Sequence, residues 1–363
     1  MHKRTKKWWA AVIGAITLVC AGAGLWHTVR SQPLSTLAGP VQRSSKLGPT
    51  IDRLVGNTHF KGMIIAIRQG KVAAVRHYGE ADTTLHEPNS ADALFPIASM
   101  EKTMTATLIA QLIREGKLNY NTRLSKFYPA VPGSTNITIR ELLNHTSGLF
   151  MDEIAPDQEL TSDAAAINYT VHNVTNTKDK QFSYTNANFV LLAGIVDQIT
   201  GQTFYQALKQ RVLDPLKMAH TFDAQHIPHG SVVAQGYQFT DKDYVPEVLD
   251  PKLVSSLLGT GSIYMSITDM ATFQLALSDG RLLTRPQFVE LTQRPSPDSS
   301  YSGGFFIGDN NNRVVVGMYD DFPNSFKTYF QADQRNTAGV LIFANESTGM
   351  NIQDLGEQIM GVL

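Results

Sequence analysis

Cysteine is nearly absent: Cys20 is the only one among 363 residues. The chain beyond it therefore has neither a disulfide nor a thiol nucleophile and must be stable through its core alone. No cluster of metal ligands and no cofactor-binding loop stands out, and there is no internal repeat or low-complexity tract, so no cofactor is expected. Charge is sparse as well, 17% of residues against 42% hydrophobic. That balance excludes a disordered polyelectrolyte and allows a substantial core in one large or two small domains.

The charge that is present is unevenly placed. Lys3, Arg4, Lys6 and Lys7 precede an uncharged run from Trp8 to Trp26, 19 residues long, enough to span a bilayer as a helix. The basic flank predicts a cytoplasmic N-terminus with the remainder exported, and tryptophans at both ends suit the two interfaces. Residues 1–30 are thus expected to form a cytoplasmic tip and a single-pass anchor in the cell membrane. Cleavage at Ala21-Gly22-Ala23 is the competing reading and would release the domain. Lipidation at Cys20 is disfavoured by the bulk of Val19. Residues 31–50, with Gln32-Pro33, Gly39-Pro40 and Gly48-Pro49, read as a linker, leaving 51–363 as an extracellular domain. The first 31 residues hold five Lys or Arg and no acid, so the rest carries 26 basic against 32 acidic residues, a formal charge of −6; no nucleic-acid partner is implied.

Within that domain, Met63–Ile67 and Val72–Val75 flank Gln69-Gly70, a hairpin signal. Met104, Leu108, Ile109, Leu112 and Ile113 follow helical spacing and Gly116 ends the run. Thr138-Ile139-Arg140-Glu141 is a capping box opening a short helix. Asn186 reads as the N-cap of a helix closed by Gly201, and Asp214-Pro215 as the stop of a helix beginning at Thr203. Thr268–Ser278 and Ile352–Leu363 read as helices, and 313–317, 326–332 and 338–344 as strands. Strands at both ends with helices between them predict one sheet assembled from distant segments and a second, helical lobe, with a cleft where the two meet.

The most informative stretch lies in that cleft: Ser99-Met100-Glu101-Lys102. A hydroxyl and an amine three residues apart share one helix face. An apolar helix places the lysine in a low-dielectric setting, where an amine more readily loses its proton and becomes a base for the serine. Alone, the tetrapeptide also fits a helix cap followed by a surface lysine.

Context separates these readings. The Ser-x-x-Lys helix, then Leu143-Asn144-His145-Thr146-Ser147-Gly148-Leu149, then Tyr184-Thr185-Asn186, resemble the serine β-lactamase and penicillin-binding-protein superfamily, above all its class C and D,D-peptidase branch. Pro215–Met218, Ser266–Met270 and Gly339–Asn345 add to the likeness, which covers residues 50 to 363. The resemblance implies an α/β (α+β) fold of the β-lactamase/transpeptidase type, an antiparallel sheet flanked by helices plus a helical lobe. It implies Ser99 as the acyl-forming nucleophile, Lys102 as its base, Tyr184 as the proton carrier between serine, lysine and leaving group, and Asn186 on the substrate or lysine side. The Ser99 backbone N–H would be half of an oxyanion hole. His145 invites a Ser-His reading, but a Ser-Lys pair already has a base, and His145 is read as a loop-structuring residue.

One departure narrows the substrate. The superfamily's third motif carries a cation and a glycine on a C-terminal strand, and the cation grips a substrate carboxylate. Its place here falls at Tyr319-Asp320-Asp321, which has neither; Lys327-Thr328-Tyr329 reads as plain strand. A site without the cation binds a carboxylate poorly, whereas acidic residues pair with an ammonium. Tyr319, Asp320 and Asp321 are the candidate substrate-binding residues beside Asn186. An envelope substrate with an ammonium and no free carboxylate is D-alanine esterified to teichoic acid, and some anchored members of the family that this chain resembles hydrolyse such esters. The expected partner is therefore a cell-envelope polymer. A D,D-carboxypeptidase acting on peptidoglycan stems and a non-catalytic wall-binding protein are the alternatives; a β-lactamase is disfavoured by the missing motif.

Overall fold

Two stretches far apart in sequence make the central sheet. The computed structural model describes residues 46–363 except 241, 297–298, 309 and 320–325. Seven strands lie in the order Tyr301–Ser302, Phe305–Ile307, Arg313–Gly317, Lys327–Ala332, Ala338–Glu346, Lys61–Arg68 and Lys71–Tyr78, each antiparallel to its neighbours. The hairpin turns at Gln69 and Gly70, both at positive φ (54° and 68°), a two-residue turn whose twist matches that of its strands. Lys61–Arg68 is the sixth strand, one in from the edge, with Ile65 opposite Val75 on one side and Leu341 on the other.

Both faces of the sheet are covered. Ile64, Ala66, Val340 and Ile342 pack under the helices Leu47–Val55 and Ile352–Met360 through Ile51, Val55, Leu355 and Ile359. Met63, Ile65, Ile67, Leu341 and Phe343 face the larger core, which includes the helices Glu101–Arg114, Asn186–Thr200 and Ile267–Ser278. A strand buried on both faces needs an unbroken apolar run rather than alternation, and Met63-Ile64-Ile65-Ala66-Ile67 is one. The sheet, its helices and the helical middle make the α+β architecture expected from the sequence.

Local differences have physical causes. The helix Phe204–Leu208 does not stop at Asp214-Pro215; it runs through a π turn, Lys209–Leu213, into Asp214–Leu216. Pro215 follows the π turn, and the helix ends shortly after it, with Lys217 in the left-handed region. The helix expected after Asn186 begins at Asn186 itself, with Thr185 as N-cap and no side-chain cap bond. Asn186 is thereby released from capping.

The expected single-pass location in the cell membrane does not stand. Among the described residues no helix is long and apolar enough to cross a membrane. The helix Asn186–Thr200 has 15 residues, a rise of about 22 Å against a hydrocarbon core of about 30 Å. The run from Trp8 to Trp26, on which the expectation rested, lies outside the described residues.

Candidate active site

The nucleophile candidate sits on a strained corner. A short sheet pairs Phe95–Pro96 with Ile263–Met265, which also pairs with Thr221–Asp223. The chain leaves Pro96, passes Ala98 at a φ of 46° and enters a 3₁₀ turn, Ala98–Met100, before the helix Glu101–Arg114. A non-glycine residue at positive φ stores strain that persists only where packing imposes it. Here the end of the strand Arg313–Gly317 supplies that packing. A Cβ on Gly317 would lie 2.4 Å from the Ile97 carbonyl oxygen, so only glycine lets the strand come this close. Thr328 Oγ1 donates to the same carbonyl at 3.1 Å. Ser99 is left half-buried and facing the cleft.

Two groups converge on it. Lys102 Nζ is 2.9 Å from Ser99 Oγ, and the Tyr184 hydroxyl is 2.8 Å from the same oxygen. Lys102 is fully buried, whereas Tyr184 is 38% exposed, so the amine lies on the core side of the serine and the phenol toward solvent. Lys102 also donates to the Thr260 carbonyl at 3.3 Å and lies 4.9 Å from the centre of the Tyr184 ring. The arrangement provides a hydroxyl, a buried amine and a phenol in one hydrogen-bonded set.

His145 supports this set from behind. Its backbone has a φ of 53° and its carbonyl accepts from Ser183 at 2.8 Å, which fixes the approach to Tyr184. Its ring lies 4.3 Å from that of Tyr184 and 4.6 Å from that of Tyr301, and Nδ1 is 3.0 Å from Asn188 Nδ2. Burial, with the charge of Lys102 second, holds its imidazole well below the usual value of 6.5. A neutral buried ring bracing a loop is the role read from the sequence.

Asn186 does not reach toward Ser99 in the described hydrogen bonds; its Nδ2 donates to Glu153 Oε1. Glu153 was not visible as a site residue in the sequence. It lies in the 151–162 segment, which has no regular structure, and no spacing marks it. Tyr319 is buried against Ala98, Leu253, Val254 and Leu257, with its hydroxyl on the Gly261 carbonyl at 2.9 Å; it lines the floor beneath the nucleophile. Asp320 and Asp321 lie outside the described residues. Tyr329 is buried on the outer face of the sheet, so Lys327-Thr328-Tyr329 is plain strand.

A second carboxyl escaped sequence reading although it stands inside the Ser-x-x-Lys stretch. Glu101 is fully buried, and its helical neighbours Ile97, Ala98, Met104, Thr105 and Leu108 are all uncharged, which is the signal that could have marked it. Burial pushes its carboxyl up to about 8, against hydrogen bonds from Ser262 and Ile263 and the pull of Lys102. Between the ordinary value of 4.5 and 8 the unfolded chain has lost this proton while the folded one keeps it. Stability therefore falls as pH rises through that window, by about 1.4 kcal/mol per pH unit for a single group. Denaturant unfolding of wild type and Glu101→Gln from pH 4.5 to 8 should show the wild type losing stability relative to the variant; a constant difference would place the ordinary acid there.

The fold and the hydroxyl–amine–phenol set define a serine hydrolase. The family model described as Beta-lactamase matches residues 48–356, and the chain belongs to that family. The teichoic acid D-alanine hydrolase of Staphylococcus aureus (strain MRSA252) is 27% identical over 305 residues, 83% of this chain and 74% of the relative. The crystal structure of FmtA from Staphylococcus aureus superposes with a TM-score of 0.76 at 21% identity, covering 91% of this chain and 90% of that one. D-amino acid amidase from Ochrobactrum anthropi SV3, complexed with D-phenylalanine, gives 0.74 at 20% identity, covering 87% and 97%. These two structures establish the likeness of fold.

Proposed function

We propose that this serine hydrolase releases D-alanine from D-alanyl esters on a cell-envelope polymer of the teichoic acid class, through an acyl-enzyme on Ser99. The observation that carries the reading is the convergence of Lys102 Nζ and the Tyr184 hydroxyl on one serine oxygen. Lys102, uncharged, takes the Ser99 proton as Oγ attacks the ester carbonyl. The oxyanion that forms lies against the Ser99 backbone N–H. The C–O bond to the polymer then breaks, and Tyr184 gives its proton to the departing alkoxide and is reprotonated from Lys102. Water enters, loses a proton to the same pair and cleaves the D-alanyl–Ser99 ester, which returns the serine and frees D-alanine.

Support for the D-alanyl group comes from the named relative and from charge. On the sequence reading, the family's carboxylate-gripping cation would fall at about Tyr319-Asp320-Asp321, and the Tyr319 side chain is buried. Glu153, tied to Asn186 two residues from Tyr184, is a described acid able to pair with an α-ammonium. Asp320 and Asp321 are candidates for the same task. A charge-assisted pair contributes about 1.5–3 kcal/mol. Glu153→Gln should therefore raise KM for a D-alanyl ester about tenfold or more and leave KM for its N-acetyl counterpart within about twofold. Equal effects on both esters would remove Glu153 from substrate selection.

The decisive experiment incubates the protein with purified teichoic acid and, separately, with peptidoglycan pentapeptide, and measures freed D-alanine. Release from teichoic acid that is lost in Ser99→Ala is the expected result. Release from the pentapeptide alone would make the chain a D,D-carboxypeptidase.

A further inference from the structure

The reaction just described makes no use of Glu101, yet this carboxyl is among the most constrained groups near the nucleophile. Its Oε2 accepts from the Ser262 amide and, at 3.1 Å, from the Ile263 amide, while Oε1 accepts from Ser262 Oγ at 3.1 Å. One helical turn later, Thr105 Oγ1 donates to the Gly259 carbonyl at 2.6 Å. Residues i and i+4 share a helix face, so Glu101 and Thr105 grip the segment 259–263 at both ends. The carbonyl between these grips, Thr260 O, is the one that accepts from Lys102 Nζ. The next, Gly261 O, takes the Tyr319 hydroxyl.

A neutral amine has one lone pair. To accept the serine proton, that lone pair must point at Ser99 Oγ, and the N–H bonds must be occupied elsewhere. Thr260 O occupies one of them, so the position of this carbonyl sets the aim of the base. We propose that Glu101 is a positioning residue for the reaction: by clamping the 259–263 turn it holds the carbonyl that directs Lys102 onto Ser99. The inference rests on the reading of Lys102 as the base. Hydrogen-bonding capacity, rather than charge, carries the role. In the neutral acid, Oε2 still accepts both amides and the Oε1 hydroxyl donates to Ser262 Oγ. Glutamine reproduces that set, with its carbonyl in place of Oε2 and its amide N–H in place of the hydroxyl. The carboxyl's displacement up to about 8 agrees with a neutral form at pH 7.

The test uses an activated ester, p-nitrophenyl acetate, so that acylation of Ser99 is read without reference to the natural polymer. In the full-length wild type a burst of p-nitrophenol reports the acylation rate constant, and Ser99→Ala abolishes it. Glu101→Gln should acylate within about threefold of wild type. Glu101→Ala should be slower by about a hundredfold, with the half-saturating ester concentration changed less than about threefold, because misaiming a base affects the chemical step rather than ester binding. Wild-type acylation in Glu101→Ala would overturn the proposal, as would a loss in Glu101→Gln as deep as that in Glu101→Ala. Should Glu101→Ala melt below the assay temperature, Thr105→Val decides. It removes the other grip without changing side-chain shape and should slow acylation about tenfold; an unchanged rate would overturn the clamp. A wild type without a Ser99-dependent burst would refute the nucleophile reading itself, and the clamp with it.

Discussion

Ser99→Ala and Lys102→Met each lower kcat by about 10⁴-fold or more, and the double variant is no slower than either single one. Groups that act as one unit give strongly non-additive losses: once the oxygen or the amine is gone, the partner has nothing left to do. The 2.9 Å separation of Lys102 Nζ from Ser99 Oγ makes these two such a unit. Methionine is the informative replacement for the lysine. Lys102 is fully buried, and a side chain of similar length and no charge fills its channel without leaving a cavity or an unsatisfied ammonium. The melting temperature of Lys102→Met should therefore stay at or above that of wild type while turnover is lost. Additive losses in the double variant would mean that serine and lysine work separately, and the proposed pair would fall.

Tyr184→Phe costs about 10²- to 10⁴-fold in kcat with an alkyl ester, the range of a positioned proton donor, and little in KM. The phenol has two separable parts. Its ring packs against His145 at 4.3 Å and edge-on against Tyr301 at 5.9 Å, contacts that phenylalanine keeps, so stability should be unchanged. Its hydroxyl touches Ser99 Oγ at 2.8 Å, and this is what the variant loses. An alkoxide must be protonated as it departs, whereas p-nitrophenolate leaves as the anion. The penalty should thus shrink by about tenfold or more when the alkyl ester is replaced by a p-nitrophenyl ester. The same penalty with both leaving groups would show that Tyr184 does not protonate the departing oxygen.

Legibility in the sequence follows the range of the interaction. The capping box at Thr138 and Glu141 is present as read, and the strands Arg313–Gly317, Lys327–Ala332 and Ala338–Glu346 lie within a residue or two of expectation. Each is decided by side-chain periodicity or by a cap reaching three residues. The failures also have local form. Asn186 carries a capping side chain but stands one residue inside its helix, because Thr185 is extended and precedes it. Asp214-Pro215 looks like a stop, and the helix runs past it only to Leu216 before Lys217 ends it in the left-handed region. Where the mechanism proposed here departs from the family's pattern, no local rule operates. Glu153 meets Asn186 across 33 residues and Glu101 meets Ser262 across 161.

The amino-acid order alone determined that a serine and a lysine share one face where the chain turns helical, since three residues along a helical turn return a side chain to the same side whatever surrounds it. It determined too that the sheet is built from the two ends of the described chain, because buried strands require long apolar runs. Only the tertiary structure decided that the Tyr184 hydroxyl, 85 residues away, meets Ser99 Oγ, that Asn186 turns to Glu153, and that a buried carboxyl grips the turn facing the lysine. Those outcomes depend on which surfaces pack together, and packing is a property of the whole core, not of any segment in it.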